Sequence, residues 1–415
     1  VSAFGLDPAW AAIEGGASLS EACRAADVRG AARGPLLEDL RRLLAGEARL
    51  EKVAPKLRTP WRRLVALRVL DGEEVGEREL AQAGVDAAAL RRHAAVRLER
   101  ATPIQRLALR GSVRPPVAAA LLESLGDEAE AFLAASWRAA PTVLRVNVAR
   151  TTREALAERL AAEGLATEPG RWSPWALVVQ NEGPLPATRA FDEGLFEVQD
   201  EASQLVARIV DPPRNAPVVD ACAGAGGKTL ALCAALGTRG RVIALDPSKR
   251  RLDALKRRAA RAQAFNLLVR PTPIEGAPLE PALADVAGRA ARVLIDAPCS
   301  GLGSLRRKPD LARRIDVDLL ARLPDQQLAI ACAAVRWLRP GGRLLLATCT
   351  PLRAENEAVV ERLVVAEGLR PLPVHAWLPP DLAALDPGGD ATVLRLLPHR
   401  HGTDAFTVHV LERPG

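Results

Sequence analysis

Asp220-Ala-Cys-Ala-Gly-Ala-Gly-Gly-Lys-Thr229 is the stretch whose reading decides the fold. It closes a short apolar run, Pro217–Ala221, and opens an Ala/Leu-rich helical run, Thr229–Leu236. Gly224, Gly226 and Gly227 permit a tight turn and let a ligand approach the backbone closely. A helix that starts there presents unpaired N–H groups to that ligand. A phosphate loop would also end in Gly227-Lys228-Thr229, but it requires a glycine where Cys222 stands. The strand–turn–helix therefore reads as a nucleotide-like cradle over Cys222, Ala223, Gly224, Ala225, Gly226, Gly227 and Lys228.

Downstream, short apolar runs alternate with Arg/Ala-rich helical ones. Strand Val242–Leu245 precedes helix Lys249–Ala264; strand Val293–Ile295, helix Pro324–Leu338 and strand Arg343–Ala347 follow. That alternation predicts a doubly wound, mainly parallel α/β sheet over 211–415. Asp246 ends the second strand about 20 residues past the glycine turn, where a carboxylate accepts both hydroxyls of a ribose. It also precedes Pro247 and Ser248, so a helix-capping role fits equally. Turn and carboxylate together serve NAD or S-adenosylmethionine alike.

Upstream, residues 126–210 read as a small α+β subdomain, with strand Val143–Val148, helix Arg153–Glu163 and strand Trp175–Val179. It lacks the aromatic pairs on which RNA-recognition sheets stack bases. Gln199–Ile209 reads as a helix leading into the last domain. Residues 1–125 read as a helical domain: Leu36–Leu44 and Trp61–Leu70 place apolar residues three and four apart, and Pro55, Pro60 and Pro115-Pro116 punctuate the run. Its arginines form either a nucleic-acid surface or ordinary solvated helix faces.

Bulk composition narrows the class. The 415 residues are 48% hydrophobic and 26% charged, as in a globular protein of two or three domains. A net charge of +7 fits a polyanionic partner without demanding one. No run of about 18 apolar residues predicts a membrane span, and no secretory leader is expected at the start. The six cysteines form no CxxC pair and no zinc spacing, so no metal is expected and reduced thiols in a cytoplasmic protein are the default.

Two of those cysteines sit just beyond strand ends. Val293–Ile295 runs into Asp296-Ala-Pro-Cys299-Ser-Gly-Leu-Gly303, and Arg343–Ala347 runs into Thr348-Cys349-Thr350-Pro351. Ligands of such sheets sit outside the carboxyl ends of the strands, so both thiols are expected in one crevice. A lone cysteine there is usually a small buried hydrophobe; two in neighbouring loops are harder to dismiss. Arg306-Arg307-Lys308 follows, a run that would favour a thiolate and bind phosphate, or simply be a solvated loop.

Asp220–Thr229, Asp296–Gly303 and Thr348-Cys349 resemble motifs of the Sun/RsmB-type RNA cytosine-5 methyltransferases. The similarity runs from about Pro141 to the end, through Val198-Gln-Asp-Glu-Ala-Ser203 and His401-Gly-Thr-Asp-Ala-Phe406. The resemblance implies a Rossmann-like methyltransferase domain using S-adenosyl-L-methionine. The helical part occupies the place of the NusB-like RNA-binding domain of the RsmB branch, matched by position and helicity. It implies Cys349 as the nucleophile that adds to cytosine C6, Cys299 as the thiol assisting release, and Asp296 against the N3/N4 edge of a flipped or unpaired base. The cofactor would lie along Cys222–Lys228 and on Asp296, its ribose at Asp246, with Lys228 facing the methionine carboxylate or a nearby acid. The partner expected is RNA, foremost 16S ribosomal RNA with transfer RNA as the alternative, bound by a monomer.

Departures from the family pattern are Ala225 for Pro, Leu346 for Tyr, Thr350 for Ser, and Ala405 and Thr407 for Gly and Phe, the last two read as packing. The third strand region, Leu267–Leu279, offers Glu275 in place of the usual adenine-contacting Asp. Two other classes stay open: a non-catalytic RNA-binding assembly factor on the same fold, and a redox or dinucleotide-dependent enzyme using Cys299 and Cys349 as a dithiol.

Overall fold

The computed structural model describes residues 3–28, 32–181, 183, 185–238, 240–271 and 286–415. The chain forms two compact units: Val1–Ala139 with Gly301–Leu320, and Ala140–Ser300 with Ala321–Gly415.

The first unit is helical, from Ala3–Glu14 to Glu128–Ser136. Pro60, Pro103 and Pro115 each stand at the first turn of a helix, where the missing N–H costs nothing. The long helix Arg33–Val53 buries Leu36, Leu40, Leu43, Leu44 and Leu50 on one stripe. Gly46 lets it approach the helix Pro60–Leu70: a Cβ there would come within 2.0 Å of Leu67. The inserted Gly301–Leu320 segment is tied in by Arg41 Nη1 donating to the Arg306 carbonyl at 2.6 Å, and by Arg313 with Glu47 at 3.3 Å. Thus Arg306-Arg307-Lys308 belongs to the helical unit, with the Arg306 side chain buried.

In the second unit, β1 (Val143–Val146), β2 (Thr167–Pro169), β3 (Ala176–Val179) and β4 (Phe196–Val198) form an antiparallel sheet of order β2-β3-β1-β4. The helix Arg153–Ala162 covers it with Leu156 and Leu160 against Leu144 and Phe196. The larger sheet contains β5 (Val218–Asp220), β6 (Val242–Asp246), β7 (Leu267–Pro271), β8 (Ala290–Asp296), β9 (Leu338–Thr348), β10 (Arg370–Pro371), β11 (Val393–Leu396) and β12 (Phe406–Glu412). Its order is β10-β12-β9-β8-β5-β6-β7, with β11 also paired to β12. β5 to β9 run parallel, whereas β12 pairs antiparallel with β9. This is the doubly wound α/β fold expected, extended by C-terminal antiparallel strands that the local pattern did not announce.

Both faces of the parallel strands are covered, so the strands read as continuous apolar runs. Val219, Ile243, Val293 and Leu344 pack on one face with Ile330, Val359 and Leu363. Their neighbours Val218, Val242, Leu294 and Leu345 point to the opposite face, against Leu205, Ile209, Leu232 and Leu236. The helix expected to open at Pro324 instead spans Val317–Val335 with Pro324 inside it. The small sheet is fastened to the larger domain by buried polar groups. Glu197 takes Arg258 (Nη2 at 2.9 Å) and Arg261 into ion pairs, and Asn147 donates to the Gly194 and Ala262 carbonyls at 2.9 and 3.0 Å.

Candidate active site

The order of the large sheet reverses beside β5: β6 lies on one side of it and β8, reached later in the chain, on the other. Ligands of open α/β sheets enter at such a point, outside the carboxyl ends. The glycine turn sits there. Gly224 and Gly226 hold φ of 53° and 90°, a region side chains rarely adopt. Gly226 also leaves no room for a side chain, since a Cβ would meet Leu255 Cδ1 at 2.1 Å. Arg145, buried on β1, donates to the Gly227 carbonyl and to Gln199, and burial lowers its pKa to about 10. The small sheet thereby holds the first turn of the helix Gly227–Leu236.

A cavity of about 560 Å³ opens at this edge, within the usual range for small-molecule sites. Cys222, Ala223, Gly224, Ala225, Gly227, Lys228, Asp246 and Asp296 all line it; Gly226 shapes the turn without lining it. Glu275 lies outside the described residues. Asp246 is almost wholly buried; its Oδ2 accepts the Gly224 N–H at 3.0 Å and its Oδ1 the Ser248 N–H at 2.8 Å. The helix Lys249–Ala262 is capped by Ser248, whose Oγ accepts the Arg251 N–H, and not by Asp246; each Asp246 oxygen keeps a second lone pair, and the residue lines the cavity.

Asp220, which the sequence presented only as a strand end, is a further cavity group. It is buried, and Thr229 Oγ1 donates to its Oδ2 at 2.7 Å. Burial pushes its carboxyl up to about 6, eased by the Thr229 bond and by Lys228. A buried carboxyl at the cavity wall suits a cationic ammonium. Lys228 is committed elsewhere: its Nζ pairs with Asp296 Oδ2 at 2.7 Å and stands 4.5 Å from the centre of the Phe406 ring. The acid it faces is thus Asp296, and Phe406 explains part of the His401–Phe406 motif. The Asp404 N–H closes that motif onto Asp200 of the Val198–Ser203 motif at 3.1 Å.

Cys299 and Cys349 meet across neighbouring loops, Sγ to Sγ 3.3 Å, and both are only half-buried. The hydrogen bond to Cys349, then burial, hold the Cys299 thiol well above its usual range, and either sulfur can donate in that bond. Ser300 Oγ and Thr350 Oγ1, each one residue beyond a cysteine, are 3.1 Å apart. Asn356 steadies the Cys349 loop, donating to the Thr350 and Leu352 carbonyls at 3.1 and 2.8 Å and accepting from Thr348 Oγ1 at 2.7 Å. Thr407, read as packing, does more: its hydroxyl donates to the Thr350 carbonyl at 2.8 Å.

Comparison with known proteins follows the same lines. Residues 207–412 match the family described as 16S rRNA methyltransferase RsmB/F, and residues 117–186 match its ferredoxin-like domain. A Bacillus subtilis relative named probable ribosomal RNA small subunit methyltransferase B is 32% identical over 66% of this chain; the match spans 60% of that relative's length. The crystal structure of PH0851 superposes with a TM-score of 0.79 at 24% identity, covering 100% of this chain and 99% of the other. The structure of NSun6 from Pyrococcus horikoshii with SFG gives 0.60 at 21% identity, covering 72% and 97%. At these identities the two structures speak for the fold. From its two matched regions and the motifs seated at the sheet edge, the chain belongs to the Sun/RsmB-type methyltransferase family.

Proposed function

We propose that this chain is an S-adenosylmethionine-dependent RNA (cytosine-5) methyltransferase, acting on small-subunit ribosomal RNA through a covalent adduct at Cys349. The observation that carries the reading is the 3.3 Å approach of Cys299 and Cys349 beside a cavity lined by Asp246, Asp220 and Asp296. The residues present fit the cofactor: a carboxylate for ribose hydroxyls at Asp246, a buried acid for an ammonium at Asp220, and a turn of glycines and small side chains between them. Bound there, S-adenosylmethionine supplies a methyl group on a sulfonium, an electrophile for carbon.

Cytosine C5 is a poor nucleophile until C6 is attacked. The Cys349 thiolate adds to C6, and the electron pair displaced from the C5=C6 bond makes C5 nucleophilic. Asp296, ion-paired to Lys228, acts as an acceptor, which suits the exocyclic N4 amino group; uracil presents a carbonyl there and is disfavoured. Once the Cys349 sulfur is bonded to carbon its charge is gone. The main cause holding the Cys299 proton then disappears; Cys299 gives that proton up to solvent and, as the thiolate, takes the C5 proton. The C5–H electron pair restores the C5=C6 bond, and the C6–S bond breaks with its electrons returning to Cys349.

Transfer of a labelled methyl group to small-subunit RNA, followed by nucleoside analysis, tests the reading. 5-Methylcytidine that disappears with Cys349→Ala supports it, provided the variant still binds cofactor. Label in another nucleoside, or unchanged turnover by that variant, overturns it. A dithiol redox couple would need the same sulfur approach, but the match of residues 207–412 to an rRNA methyltransferase family favours methyl transfer.

A further inference from the structure

We propose that Glu355 is a positioning residue which, with Gln327, clamps the peptide on both sides of Cys299 and so fixes its sulfur against that of Cys349. Glu355 ends the short turn Arg353–Glu355 beyond the Cys349 loop and is fully buried. Its Oε2 accepts the Ser300 N–H at 2.7 Å, immediately after Cys299. Gln327, also fully buried on the helix Val317–Val335, donates through Nε2 to the Pro298 carbonyl at 2.9 Å, immediately before Cys299. The same Nε2 reaches Glu355 Oε2 at 3.2 Å. Both flanks of Cys299 are thus held by one buried pair, and one member of that pair is rooted in the loop that carries Cys349.

The clamp has a cost that a neutral side chain would avoid. No cation pairs with Glu355 among the described residues, and burial pushes its carboxyl up. A charged acceptor binds an N–H more strongly than a neutral one, which is the gain at a position where sulfur must meet sulfur. The Glu355 charge also adds to the causes that keep Cys299 protonated. Glu355 also meets the Thr350 hydroxyl, one residue past Cys349, so one carboxylate touches both cysteine loops, while Asn356 and Thr407 hold the Thr350 carbonyl.

The inference rests on the methyl-transfer reading only for its effect on release, so the test separates the two. The primary readout is bridging of Cys299 to Cys349 by dibromobimane in the full chain, followed by peptide mass mapping. Glu355→Ala should slow the bridge by about tenfold or more, the size of one lost charge-assisted hydrogen bond. Glu355→Gln keeps an oxygen for Ser300 and should restore the rate to within about threefold. Gln327→Ala, which frees only the Pro298 side, should fall between them, and S-adenosylhomocysteine binding reports that each variant is folded. In RNA assays, Glu355→Ala should accumulate protein–RNA adduct while Glu355→Gln turns over. Wild-type bridging by Glu355→Ala, or equal loss in Glu355→Ala and Glu355→Gln, overturns the clamp. Bridging as expected, with no methylated cytosine from the wild type, upholds the clamp and overturns the methyl-transfer reading instead.

Discussion

Asp246→Asn isolates the cofactor carboxylate with almost no change in volume. In the folded chain both oxygens are already acceptors, Oδ2 from Gly224 and Oδ1 from Ser248. An Asn amide must point its NH2 at one of these N–H groups, whichever way it is flipped. The variant therefore leaves one backbone donor unpaired, against either the glycine turn or the first turn of the following helix. That costs about 1–3 kcal/mol of stability, worth several degrees of melting temperature in a domain of this size. It also removes the charge that grips the ribose in the proposed complex. One charge-assisted hydrogen bond is worth about 1.5–3 kcal/mol, so S-adenosylmethionine should bind about 10- to 150-fold more weakly. Isothermal titration measures the affinity and calorimetry the melting. An affinity within about twofold of wild type would refute the ribose assignment; unchanged melting would refute the argument that both oxygens are in use.

Gly226→Ala should lose about 2–5 kcal/mol, adding left-handed strain at φ 90° to the overlap with Leu255; a melting temperature equal to wild type would contradict the packing described. Asp220 gives a pH signature. Its folded pKa, raised from 3.8 to about 6, means that the stability it contributes is complete below pH 4 and lost as pH rises through 6, by about 3 kcal/mol. Asp220→Asn should therefore melt above wild type at pH 8 and match it near pH 4. An equal advantage at both pH values would show that ionisation of Asp220 is not the cause.

Much of the fold was legible because the parallel strands are buried on both faces. Val218-Val219, Val242-Ile243 and Leu344-Leu345 send neighbouring apolar residues to opposite faces, so short unbroken runs mark them. The C-terminal strand β12 escaped because fully buried Thr407 and buried His409 interrupt its apolar pattern. The helix Val317–Val335 was misread at its start because an interior Pro324 looks like a first-turn proline. At the site, the glycines, Asp246, Asp296 and both thiols sit at strand ends, where sequence order alone points them at one crevice. Glu355, Gln327 and Phe406 carry no such signal. A Glu six residues past Cys349 reads as a surface charge until the fold buries it under the neighbouring loop.

The central claim, that two thiols share one pyrimidine, is tested most directly by Cys299→Ala incubated with small-subunit RNA and S-adenosylmethionine. Denaturing gels and peptide mapping should then find a stable RNA adduct on the peptide bearing Cys349, because methyl transfer proceeds while release stalls. Free protein with methylation intact, or an adduct on any other peptide, would contradict the account.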